Sequence, residues 1–243
     1  SAKGRMSEPE NIVDEIERYS IFSKFENFDI VLKNKKILIT SGRTKENIDP
    51  VRYLSNNSSG KMGYSLAQAA VDLGAEVTLI SGPTNLKVPN GLEKFIFVES
   101  ALEMYEKVDE YFKNTDIFIA CAAVADYRPK EYKKEKIKKS DSDFVIELVR
   151  NPDILLEMSK KKEKQLLVGF AAETNEIREN ALKKLKKKNL DIIVANNASV
   201  MGSDENVIEI IKKDRTSVEI SQKSKIELAY DILNEVIFEL KKR

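Results

Sequence analysis

The chain has 243 residues, 42% of them hydrophobic and 33% charged, with 41 basic against 40 acidic side chains and a formal net charge of +1. That length allows one large domain or two small ones, and the charge balance argues against a general binder of nucleic acid, leaving only local patches. With no histidine and one cysteine, Ser-His and Cys-His nucleophilic machinery, His- or Cys-rich metal sites and an intrachain disulfide are all excluded.

In chain order, residues 7 to about 24 predict a helix, with Ser7 as cap, Pro9 in the first turn and Glu10 three places after the cap. The N-terminal "SAKGRMSEPE" lacks the apolar centre of a signal peptide, and no later run approaches the roughly 20 apolar residues of a membrane span. With the lone Cys121, this points to a cytoplasmic protein without a membrane partner. A polar linker, "FENFDIVLKN", follows. Then come short apolar runs at 35–40, 75–80, 94–98, 116–120, 143–148, 165–170 and 191–195. Runs so uniformly apolar predict strands buried on both faces, as in a parallel sheet. Helical patterns separate many of them. In "KMGYSLAQAAVDLG", Met62, Leu66, Ala69, Ala70 and Leu73 form one stripe, closed by Gly74. "SALEMYEKVDEYFKN" and "NEIRENALKKLKKKN" are also helical, and "NVIEIIKKD" with "TSVEIS" predicts a hairpin around Lys213–Arg215. The last helix carries Ile226, Ala229, Tyr230, Leu233, Val236, Ile237 and Leu240 on one face. The expected fold is α/β: a doubly wound, mostly parallel, Rossmann-like sheet with helices on both faces.

Ligands of such sheets sit beyond the carboxyl ends of the strands. That selects Ser41–Gly60, Ser81–Asn90, Cys121–Lys139, Phe170–Asn175 and Asn196–Ser203. The first is far longer than the usual connection of about 4–6 residues; it is either a solvated Ω-loop or a functional segment. Its "SSGKMG" is not a P-loop: Ser55 stands where the first glycine is required and Met62 where Ser or Thr would hold Mg²⁺. It still offers a helix N-terminus to an anion. No G-x-G-x-x-G follows the first strand, which argues against an NADPH-dependent reductase on this Rossmann-like sheet. After the fourth run, Ala122, Ala123 and Ala125 permit close approach to the backbone, and Asp126 offers a carboxylate to a metal or hydroxyl. The Lys-rich stretch that follows reads as a flap or as a plain solvated segment. On the 177–188 helix, Ile177, Ala181, Leu182 and Leu185 form the buried stripe and Lys183 and Lys187 face water. Lys184 and Lys188 lie at the border, placed either to face a cleft or to snorkel. Cys121, without a base beside it, reads as a small buried hydrophobe.

Seven blocks in order, "ITSGRTKENIDPVRYLSNNSSGKMG", "SGPTNL", "AAVADYRP", "EKIKK", "VRNPDIL", "VGFAAETN" and "KNLDIIVAN", closely resemble the bacterial phosphopantothenoylcysteine synthetases of coenzyme A biosynthesis. Departures are slight: Ser41 where Ala is common, and Arg43 after Gly42. The resemblance covers residues 34–243. Residues 1–33 resemble the end of the decarboxylase domain fused ahead of that synthetase. The resemblance implies a ligase joining 4′-phosphopantothenate to cysteine at the expense of CTP, with Mg²⁺, through an acyl-cytidylate. It also implies a homodimer with a site shared between subunits. Carried over by motif, Asn56 would hold and polarise the intermediate, Arg52 would lie near a phosphate or the carboxylate, and Lys136 of the flap would neutralise triphosphate charge. Ala120, Cys121, Ala122, Asp126, Pro152, Asp153, Ile154, Leu155, Phe170, Lys184 and Lys188 would contact the nucleotide. Ser58, Ser59, Gly60 and Lys61 would lie near phosphopantothenate or the partner subunit. No metal ligand set is legible. The reading that competes with an enzyme is a non-catalytic nucleotide-binding module.

Overall fold

The computed structural model describes residues 9–23, 32–139, 143–173, 175–197 and 205–243. The expected cap at Ser7, most of the 25–34 linker, residues 140–142 of the flap, residue 174 and residues 198–203 of the last rim segment lie outside them.

The first half of the chain runs α1 (Pro9–Ser23), β1 (Lys36–Ser41), β2 (Lys45–Asn47), β3 (Tyr53–Ser55), α2 (Lys61–Asp72), β4 (Glu76–Ser81), β5 (Lys94–Phe97), α3 (Ala101–Phe112) and β6 (Ile117–Ala120). The second half runs β7 (Tyr127–Pro129), β8 (Leu148–Arg150), α4 (Ile154–Lys160), β9 (Leu166–Glu173), α5 (Ile177–Lys187), β10 (Ile192–Asn197), β11 (Glu205–Lys212), β12 (Ser217–Ser224) and α6 (Lys225–Lys241). Eight strands make one sheet in the order β12-β11-β10-β9-β6-β1-β4-β5. From β10 to β5 every neighbouring pair is parallel. β11 and β12 add an antiparallel hairpin at one edge, closed through Lys212 N–H to the Thr216 carbonyl.

The apolar runs are buried on both sides because two separate cores flank the sheet. Ile37 and Ile39 of β1, with Ile117 and Ile119 of β6, point to a core shared with α2 and α6. Leu38 and Phe118, one residue out of phase, point to the opposite core with α3, α4 and α5. α6 starts on a capping box, in which the Ser224 hydroxyl and the Glu227 carboxylate each accept from the other's backbone N–H. α2 begins after Gly60, at φ +79°, and its Gly63 passes so close to β1 that a Cβ there would overlap the Ser41 side chain. Among the described residues no helix is long and apolar enough to cross a membrane.

The structure departs from three expectations. The run at 143–148 is not a sheet strand: β6 pairs directly with β9, which leaves no slot between them, and Phe144 and Val145 are exposed. Only its end, Leu148, enters β8, which pairs with β7 in a two-stranded ribbon outside the sheet. β5 is an edge strand and is not buried on both faces; Phe97 is 61% exposed. The 81–90 loop closes back on α2, with Asn90 N–H to Gln68 Oε1 at 3.1 Å and the Thr84 hydroxyl to the Tyr64 hydroxyl at 3.2 Å, instead of lining a cleft.

Candidate active site

Strand order reverses between β1 and β6: β4 and β5 follow β1 to one side, β9 and β10 follow β6 to the other. Connections leaving the two strands diverge, and a crevice opens beyond their carboxyl ends. Here it is a cleft of about 490 Å³. Its walls come from six segments: Thr40 at the end of β1; Asn56 and Asn57 after β3; Ala120 and Ala122–Asp126 after β6; Asn151–Leu155 at the start of α4; Phe170 of β9; and Lys184 and Lys188 at the end of α5. A smaller chamber of about 170 Å³ adjoins it, sharing Ala122, Ala123 and Phe170 as walls. The remaining wall of that chamber includes Ser58–Gly63, Cys121, Ala172, Val194, Asn196, Ile208 and Lys225.

Of the residues expected on the nucleotide, Ala120, Ala122, Asp126, Pro152, Asp153, Ile154, Leu155, Phe170, Lys184 and Lys188 all face the larger cleft, together with Asn56. Cys121 lies instead on the smaller chamber, beside Ser58, Ser59, Gly60 and Lys61. Arg52 and Lys136 line neither. Lys136 is exposed on the flap. The Arg52 guanidinium bonds to Asp49 and to the Ile137 carbonyl.

The local geometry explains why these side chains converge. Asn56 donates from Nδ2 to the carbonyls of Ala123 and Val124, at 3.2 and 3.1 Å, so its amide hydrogens hold the β6 loop. Thr44 continues that fixation, with its hydroxyl accepting from Ala125 N–H at 2.9 Å and its own N–H donating to the Ala123 carbonyl. Asn151 closes the other side through Nδ2 to the Ala125 carbonyl at 2.8 Å, while its Oδ1 accepts from Arg128. Asp153 caps α4, its Oδ1 accepting from Leu156 N–H at 3.1 Å, and takes Lys188 Nζ at 2.8 Å. That contact draws the last turn of α5 toward the start of α4 and places a cation at the cleft wall. Lys184 and Lys188 are both half-buried while Lys183 and Lys187 are exposed, so the helical-wheel border position is where the structure puts them. Burial pushes the Cys121 thiol up to about 12, against the opposing pull of the Lys225 charge.

Sequence reasoning did not single out Asn151, Asn57 or Thr40 on the larger cleft, nor Val194, Ile208 and Lys225 on the smaller chamber. Asn151 sits beside Pro152 in a block already selected and was within reach. Asn57, next to Asn56, was within reach in the same way. Thr40, Val194 and Ile208 are set by strand register and Lys225 by where α6 starts, which no local pattern carries. Among the described residues no three acidic or cysteine side chains gather as a metal site. The larger cleft offers one carboxylate, Asp126, besides the Lys188-bound Asp153. That is a poor cage for a metal alone, but it suits Mg²⁺, which takes one or two carboxylates and completes its shell with water and substrate phosphates.

Residues 32–239 match the family described as "DNA/pantothenate metabolism flavoprotein C-terminal domain". The coenzyme A biosynthesis bifunctional protein CoaBC of Bacillus subtilis (strain 168) is 51% identical over 183 residues, 75% of this chain. The chain matches 44% of the length of that relative. A crystal structure of the C-terminal domain of a CoaBC bifunctional protein superposes with TM-score 0.77 at 45% identity, covering 88% of this chain and 99% of that one. A Cab2 H337A mutant in complex with phosphopantothenate-cysteine shares the fold, with TM-score 0.70 at 16% identity over 98% of this chain and 95% of that one.

Proposed function

This chain belongs to the DNA/pantothenate metabolism flavoprotein C-terminal domain family, and from that premise we propose that it is a CTP-dependent ligase that joins 4′-phosphopantothenate to cysteine. The observation that carries the reading is the meeting of Asn56, Asp126, Asp153, Phe170, Lys184 and Lys188 on one cleft at the strand-order reversal. The names of similar proteins support the substrate class: coenzyme A biosynthesis for the Bacillus subtilis relative, phosphopantothenate-cysteine for the ligand of the distant fold neighbour.

The chemistry asks little covalent work of the protein. A carboxylate is a poor acceptor for an amine until its oxygen gains a good leaving group. The carboxylate oxygen of phosphopantothenate attacks the α-phosphorus of CTP, the bond to the β-phosphate oxygen breaks, and pyrophosphate leaves. The cysteine amine then attacks the acyl carbon, CMP departs and the amine proton is lost to solvent. Both nucleophiles belong to substrates, so the absence of histidine is no obstacle. What the chain must supply is position and fixed positive charge where negative charge accumulates. Lys184 and Lys188 stand at the wall for that purpose, and Lys136 would join them from the flap. The small side chains at 122, 123 and 125 let the nucleotide lie against backbone, with Phe170 available to the base. With Asn56 Nδ2 committed to the loop carbonyls, its Oδ1 is the atom left to accept from a ligand. Bound Mg²⁺, held through Asp126 and the phosphates, would neutralise triphosphate charge. The smaller chamber, with Ser58–Lys61 at the start of α2, would take the pantothenate arm.

A decarboxylase partner domain and a homodimer sharing the site are part of the same proposal. The test is pyrophosphate release by the full chain supplied with Mg²⁺, phosphopantothenate and either CTP or ATP, then phosphopantothenoylcysteine formation on adding cysteine. Release with CTP that depends on phosphopantothenate supports the ligase. Nucleotide binding without turnover would make this a binding module, and thermal stabilisation by NADPH alone would make it a reductase.

A further inference from the structure

The carboxylate of Asp49 has no role in the chemistry above, yet its side chain is 0% exposed and it accepts five hydrogen bonds. Its Oδ1 accepts from the N–H groups of Val51 and Arg52, both at 2.8 Å. Its Oδ2 accepts from Arg52 Nε at 3.0 Å, Arg52 Nη2 at 2.6 Å and the N–H of Ile137 at 3.1 Å. Arg52 Nη2 also donates to the carbonyl of that same Ile137, at 2.7 Å. Both polar ends of residue 137 are therefore held by one Asp–Arg pair. Four residues earlier the flap is fixed again, with Lys133 N–H donating to the Ile48 carbonyl at 3.0 Å. Lys134, Glu135 and Lys136 arch between these two anchors, and all three are exposed.

We propose that Asp49 and Arg52 form a latch that holds the Lys136–Ile137 peptide and so sets the reach of Lys136 over the cleft, which makes both of them positioning residues for the flap. The proposal rests on the ligase reading for what Lys136 does, but not for the latch itself. It also gives Arg52 a place different from the phosphate or carboxylate contact that family resemblance implied. Burial opposes the Asp49 charge, but the N–H donors of Ile137, Val51 and Arg52 and the guanidinium outweigh it and hold its pKa well below the usual carboxylate range. The latch is thus charged, and closed, throughout the neutral range.

The turn and the flap draw on different atoms, which allows a clean test. In Asp49→Asn, one oxygen still accepts from Val51 and Arg52, while an NH₂ now faces the Ile137 N–H and the guanidinium. Arg52→Gln removes the second hold on Ile137 from a side chain 44% exposed. Limited trypsin digestion of the full chain, with cut sites mapped by mass spectrometry, reads the flap directly through cleavage after Lys134, Lys136 and Lys138. Cleavage tracks the open population when reclosing is fast, so each variant should be cut there about tenfold faster than wild type. Tm should hold nearly unchanged in Arg52→Gln, whereas Asp49→Asn, which loses a buried charged acceptor, should also melt lower. The double variant should be cut no faster than the faster single variant, because both release one peptide. In turnover assays the half-saturating CTP concentration should rise while that for cysteine holds. Cleavage at the wild-type rate in a folded Arg52→Gln would overturn the latch, as would loss of turnover in that variant with the flap still protected. Should Asp49→Asn fail to fold, Arg52→Gln decides alone. Absence of pyrophosphate release in the wild-type chain would count against the ligase reading and leave the digestion result to judge the latch.

Discussion

Asn56 and Cys121 show how differently a polar and an apolar reading of a residue fare once neighbours are known. Asn56 was legible as a site residue from its motif, but not what its amide does: both hydrogens are occupied by the Ala123 and Val124 carbonyls. Asn56→Asp would set a carboxylate against two carbonyl oxygens and displace the loop that forms the cleft wall. Turnover should fall about 100-fold, the scale of a misplaced cleft wall, with little change in thermal unfolding because the side chain is exposed. An unchanged rate of pyrophosphate release would remove Asn56 from the site. Cys121 was read as a buried hydrophobe because no base accompanies it; it is partly buried, packed against the core at the chamber wall, and its desolvation pushes the thiol up to about 12. At pH 8 the thiolate fraction is then well below that of a thiol at its ordinary pKa. Iodoacetamide should label Cys121 slowly in the native chain and rapidly in guanidinium; equal rates would mean that the chamber wall is open.

For secondary-structure elements, periodicity and strand-end glycines gave most of the architecture, and the errors share one cause. The 143–148 run and β5 are apolar enough for a central strand, but composition does not say whether a slot exists or which strand lies at the edge. Direct β6–β9 pairing and the strand order decide both. The long first connection was correctly marked as unusual; that it folds into the β2–β3 ribbon with a buried Asp49 at its turn depends on contacts to the distant flap. Close packing of α2 on β1 is a further consequence of register. Gly63→Ala drives a methyl group into Ser41, and small-to-large changes in tight packing cost about 1–3 kcal/mol, net of the better helix propensity of alanine. Tm by calorimetry should drop by several degrees; an unchanged Tm would show that α2 can lift off β1 freely.

In the molecule as a whole, the fold serves to bring six chain segments to one reversal point. Lys188, Asp153, Asp126 and Asn56 are spread over 133 positions of sequence and meet on one cleft only because β1, β6 and β9 are neighbours. The residue types were readable from the chain, and the strand-end rule already gathered the loops of Asn56, Asp126 and Phe170 at one rim; that Asp153 and Lys188 join them was readable only through the family resemblance, since the local pattern of their blocks leaves the partners open. The central claim is that this cleft makes phosphopantothenate reactive by joining its carboxylate to a cytidylate. The most direct measurement is a crystal structure of the chain grown with Mg²⁺, CTP and phosphopantothenate and without cysteine. The account predicts continuous density for an acyl-cytidylate, with the nucleotide between Phe170 and the Lys184–Lys188 face and the pantothenate arm toward Ser58–Lys61. Intact CTP and free phosphopantothenate bound elsewhere, with this cleft empty, would contradict it.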